Sequence, residues 1–119
     1  MTLHTDLPQQ ADIAARLAPI RAHFVSTLGP RRDRLAAFCA EPDPLPAPER
    51  IRLLQEDAHK IRGVALTLGF EGLGHHAGTV DELLAPWVKT VAALPIGSSI
   101  IAALSDLLGV IDRAMAGQA

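Results

Sequence analysis

Apolar residues recur along this chain at alternating steps of three and four, the interval at which side chains return to one face of an α-helix. Between Glu49 and Gly69 one such seam runs through Ile51, Leu54, Ala58, Ile61, Ala65 and Leu68, and Gly69 stands where a C-terminal cap belongs. The spacing predicts a helix over 49–68. A second seam follows at once through Leu73, Ala77, Val80 and Leu84, continues to Trp87 and Val91, and predicts a partner helix from residue 70. With almost no linker between them, the two should fold back as an antiparallel hairpin. Pro86 lies inside the second pattern and predicts a kink or an early stop.

Upstream, Ile13, Leu17, Ile20, Phe24 and Leu28 outline a first helix, with a bend expected at Pro19. Gly29-Pro30 should break the chain, and Leu35 and Phe38 continue on a short helix whose first turn can hold Pro30. Residues 41–48 place prolines at every second position, at 42, 44, 46 and 48, and read as a stiff extended connector. Downstream, Pro95 to Ser99 reads as a turn with a serine cap, and Ile100, Leu104, Leu107, Leu108, Ile111 and Met115 predict a last helix over 98–116. No strand pattern and no repeat is found. The expected architecture is one all-α domain over 1–119, an antiparallel four-helix bundle with an additional short or kinked N-terminal helix.

Composition narrows the function. The 119 residues are 49% hydrophobic, enough for a single core and too many for a disordered chain. With 11 basic against 13 acidic residues the chain lacks the charge to grip nucleic acid. The single cysteine, Cys39, cannot form an internal disulfide and suits a reducing compartment. No apolar secretory segment opens the chain, and the longest uncharged stretch, 90–105, is too short to span a bilayer. A cytoplasmic protein with no membrane partner is expected.

His59 is the residue that stands out. Ala58 belongs to the seam, and at about 100° per residue His59 turns well away from it. A histidine serving the core would sit on the seam, so the plain alternative is a surface histidine. Gly63, one turn later on the same face, speaks against that alternative. A glycine inside a helix costs about 1 kcal/mol relative to alanine, and here its missing side chain leaves room for something large to approach the imidazole. Arg62 offers a planar fork of donors suited to phosphate oxygens, and Lys60 adds a more mobile charge. Gln55 and Leu66 lie on the same face and are expected, with Gly63, to contact the partner that approaches His59. An imidazole has a reference pKa of about 6.5, so its neutral ring nitrogen is an available nucleophile at pH 7. Together these groups make a site for a phosphoryl group.

The segment Ala58-His59-Lys60-Ile61-Arg62-Gly63-Val64-Ala65-Leu66-Thr67-Leu68-Gly69-Phe70 resembles the signature of histidine phosphotransfer domains: His, any residue, Leu or Ile, Lys or Arg, Gly, any residue, Ala, then Leu-Gly. The resemblance implies a four-helix bundle that accepts a phosphoryl group on the exposed histidine and exchanges it with an aspartate of a response-regulator receiver domain. It implies that His59 is the phosphoacceptor, that Arg62 stands where lysine is usual and neutralises phosphoryl charge, and that Gly63 admits the partner. It implies a phosphoryl carrier without enzyme activity or cofactor of its own, with Mg²⁺ held by the receiver, and a sensor histidine kinase as the other partner. A monomer is expected. The absence of a Gly-rich phosphate loop agrees with a chain that does not bind nucleotide.

In such a hairpin, residues whose numbers total about 140 lie opposite one another, which sets Asp81 level with His59. In the chemotaxis-type members of the family an acidic residue at the corresponding place bonds the imidazole, so Asp81 is the expected orienter, shorter than the usual Glu. The alternative is a solvated acid. Gly74 and Gly78, one turn apart on Asp81's helix, either lower the surface that faces the partner or permit close helix packing. His75 and His76 are adjacent and diverge on a helix, so no metal site is expected. Two other functions remain open: a helical module that binds a receiver or kinase without carrying phosphate, and the phosphotransfer domain of a larger chemotaxis-type kinase.

Overall fold

The computed structural model describes the backbone of residues 3–118 and the side chains of residues 12–118. Among these residues there is no strand. The chain forms α1 (Leu3–Ser26), α2 (Leu28–Ala40), α3 (Pro48–Ala65), α4 (Glu71–Val88) and α5 (Ser98–Met115). α3 lies along α4 in the largest of the helix contacts, α4 packs on α5, and α5 packs on α2; α2 touches α3 more lightly.

The two central seams pack as their periodicity requires. Ile51, Leu54, Ala58, Ile61, Ala65 and Leu68 from the first, and Leu73, Ala77, Val80, Leu84 and Trp87 from the second, are all buried in one core. Removing each large aliphatic side chain from water contributes about 1.5–3 kcal/mol. The α3–α4 turn closes through Phe70 N–H on the Ala65 carbonyl at 2.8 Å, with Gly69 at φ +85°, a conformation that a side chain would strain. Arg21 of α1 locks this turn by donating from Nε to the Leu68 carbonyl at 2.8 Å. On the flank of α3 opposite Asp81, Asp57 accepts two hydrogen bonds from Arg34, at 2.7 and 2.8 Å, and joins α2 to α3. Arg32 joins α2 to α5 through Asp112 at 2.8 Å.

Several boundaries differ from the sequence reading. α1 runs unbroken through Pro19, and the chain breaks at Thr27, not at Gly29-Pro30, which open α2. The reason is local: Thr27 turns its backbone N–H and its hydroxyl onto the Phe24 carbonyl, at 3.0 and 2.6 Å. Of the first seam only Phe24 and Leu28 reach the core fully; Ile13 and Ile20 are exposed. Pro48 opens α3 as its first residue, where a missing N–H costs nothing. α4 continues past Pro86 to Val88, because a proline in the last turn removes a single hydrogen bond. Val91 lies beyond that end and is fully exposed, so the second seam stops at Trp87.

At α5 the cap position is Gly97 with no side-chain cap, and both serines fall inside the helix. Met115 is exposed, while Val110 and Ala114 are buried in its place. The proline-rich connector is not helical over 41–47; it is anchored by buried Pro46 and by Ile96 N–H on the Pro44 carbonyl at 3.0 Å.

Candidate functional site

The hairpin register brings the site together. Leu66 lies over Gly74, Arg62 over Gly78 and His59 beside Asp81, so three successive turns of α3 meet α4 in the expected alignment. Ala58 is buried, and His59, the next residue, has 69% of its side chain exposed. His59 Nδ1 lies 2.9 Å from Asp81 Oδ2. Nδ1 therefore carries the proton when the ring is neutral and the carboxylate is ionised, because a carboxylate can only accept. The Nε2 lone pair is left unprotonated.

Asp81 is the one buried charged residue among the described residues. Burial alone pushes its carboxyl up. Hydrogen bonds from His59 and Gln55, the charge of His59 and the Arg62 guanidinium together outweigh that and hold it below the ordinary carboxylate range. Arg62 Nη1 is 3.5 Å from Oδ2, and its Nη2 is 3.9 Å from Glu82. Lys60 pairs with Glu56 along α3 at 3.0 Å. The Lys60–Glu56 pair is exposed on both sides, where such pairs are worth little and open easily, whereas Arg62 reaches both the buried Asp81 and the exposed Glu82.

Other nominated residues fall differently. Gly63 has open space where a Cβ would be, within contact range of nothing. Gly74 and Gly78 are buried beneath α3, and a Cβ on Gly74 would stand 2.6 Å from the Leu66 side chain. These two glycines serve close helix packing and are not part of an open surface. On Gly78 a Cβ would meet the Arg62 side chain at 3.3 Å, so this glycine makes the track along which Arg62 crosses α4. Gln55 turns to Asp81 Oδ1. Leu66 is exposed. His75 lies beside Arg62 in a shallow depression of about 240 Å³. No cluster of three or more metal-ligating side chains lies among the described residues.

One feature escaped the sequence. A groove of about 560 Å³ runs beside His59 between α3 and the end of α1, lined by the apolar Ile20, Phe24, Val64 and Leu68 with Gly63, and by the basic Lys60, Arg31 and His23. The Ile20–Phe24 step carried a signal, since it continues the first seam. What the spacing could not reveal is that α1 leaves the core there and forms a wall. No helix among the described residues is long and apolar enough to cross a membrane. Comparison with known protein families, curated proteins and solved structures finds no match to this chain.

Proposed function

We propose that the chain is a histidine phosphotransfer protein, with α2–α5 as an antiparallel four-helix bundle and His59 as the phosphoacceptor. The observation that carries this reading is the pairing of an exposed imidazole with a buried carboxylate at Nδ1, which leaves Nε2 unprotonated beside the bare surface of Gly63. A neutral imidazole so held is a nucleophile whose far nitrogen faces outward.

The step follows from that arrangement. The Nε2 lone pair attacks the phosphorus of an aspartyl phosphate on a receiver domain. The N–P bond forms, the bond from phosphorus to the aspartyl oxygen breaks, and the receiver's carboxylate leaves with the electron pair. Nδ1 keeps its proton, and Asp81 stabilises the positive charge gained by the ring. Arg62 and Lys60 swing from their carboxylate partners onto the phosphoryl oxygens. The reverse transfer uses the same groups.

The groove between α1 and α3 is the seat for the partner, whose apolar surface would meet Ile20, Phe24 and Val64. Mg²⁺ belongs to the receiver, and a sensor histidine kinase is the more distant source of the phosphoryl group.

The test is transfer of label from a phosphorylated receiver, with Mg²⁺, to the wild type and to His59→Gln. Acid-labile, alkali-stable label on the wild type alone supports the reading. No label from a panel of receivers, together with capture of one of them in a pull-down, favours a phosphate-independent binding module.

A further inference from the structure

Gln55 stands one turn before His59 on α3, and both side chains reach the same carboxylate on α4. Gln55 Nε2 donates to Asp81 Oδ1, while His59 Nδ1 meets Oδ2 at 2.9 Å. The assignment of the amide is forced by chemistry, because an ionised carboxylate only accepts and the amide nitrogen must face it. Asp81 is 12% exposed, so water offers little to an oxygen that loses its partner.

A carboxylate turns readily about its last torsion, where the energy well is broad. Held at one oxygen, it can swing or exchange its two oxygens. Held at both by donors four residues apart on one helix, it has a single orientation. Arg62 does not supply this restraint: it approaches the same oxygen as His59, at 3.5 Å, from a side chain 42% exposed.

We propose that Gln55 is a positioning residue for His59: by holding Oδ1 of Asp81 it fixes Oδ2 as the acceptor of the Nδ1 proton and keeps the neutral imidazole in the form whose Nε2 is unprotonated. The use of that tautomer in phosphoryl transfer rests on the function proposed above, whereas the tautomer itself does not. Being neutral, the amide fixes the carboxylate without competing for its charge.

The experiment compares the full chain with Gln55→Leu and Gln55→Glu. The ¹⁵N shifts of the His59 ring give the tautomer ratio, and phosphoramidate, which needs no protein donor, gives phosphoryl uptake. In the wild type Nδ1–H predominates. In Gln55→Leu the ratio of Nδ1–H to Nε2–H falls about tenfold, the scale of one hydrogen bond to a charged group, and uptake at saturating phosphoramidate falls with it. Gln55→Glu keeps the length but has no donor when ionised, and it falls at least as far. An unchanged ratio in Gln55→Leu overturns the proposal even if its melting temperature drops, since that is the mark of a packing role alone. A wild-type ratio in Gln55→Glu overturns it as well. A shifted ratio in variants of a protein that takes up no phosphoryl group upholds the positioning and removes the phosphocarrier reading.

Discussion

His59 and Asp81 lie 22 positions apart on different helices, yet Nδ1 of one stands 2.9 Å from Oδ2 of the other, and only the carboxylate is buried. The acid is fixed by the fold and the imidazole is presented to solvent, so removing either has a different consequence. His59→Gln should abolish phosphoryl uptake from a receiver while circular dichroism stays helical. The cost to stability should be about 1–3 kcal/mol, because the largely buried Asp81 oxygen loses its imidazole partner.

Asp81→Asn probes the other half of the pair. Because its folded carboxyl lies below the ordinary range, Asp81 contributes stability that is present above its unfolded pKa of about 3.9 and is lost as pH falls through the folded value. Urea unfolding should therefore find the wild type more stable than Asp81→Asn at pH 7, with the gap closing below about pH 4. A gap that does not narrow at all as the pH falls below about 4 would show that the carboxylate charge is not what stabilises the fold.

Gly63→Leu separates folding from docking. Nothing crowds a side chain there, and replacing a helical glycine should leave stability unchanged or raise it by about 0.5–1 kcal/mol. Transfer from a receiver should fall sharply, and uptake from the much smaller phosphoramidate should persist. Unimpaired transfer from the receiver would mean that the groove is not the seat.

Gly74→Ala should behave in the opposite way. Its Cβ would be driven against Leu66, at a cost of about 1–3 kcal/mol from overpacking. In a Leu66→Ala background the same change should cost less, the 3.3 Å approach to the residue 66 backbone nitrogen being what remains, a coupling that a double-mutant cycle by thermal or urea unfolding would measure.

Arg62→Ala should slow transfer, with Lys60 replacing part of the lost charge and the double variant slower still. The dependence of the rate on added salt should weaken as each cation is removed. An unchanged salt dependence would make both charges incidental.

Much of this site was legible in the sequence because it depends on helical register alone. One turn of the hairpin, fixed by Gly69, aligns Leu66 with Gly74, Arg62 with Gly78 and His59 with Asp81. Side-chain direction at the next level was not legible. Gln55 shares a face with both solvent and α4, and only the depth of Asp81 draws it inward. Gly74 and Gly78 looked alike as open surface or as packing until the α3 side chains above them were placed. The course of α1 was hidden for a different reason: Ile13 and Ile20 keep the helical period but never enter the core, so periodicity overstated their burial.

The charged joints of α2, Arg34 with Asp57 and Arg32 with Asp112, lie apart from the surface that surrounds His59. Lys60, Val64 and Thr67 occupy that surface, exposed, and the polar bonds of Lys60 and Thr67 stay local, to Glu56 and to the Gly63 carbonyl. These three displayed positions are therefore distinct from the joints, whereas Phe24 and Leu68 serve the core and the groove alike. The three can be rewritten, by natural divergence or by an engineer seeking a new recognition code, with the scaffold beneath left untouched.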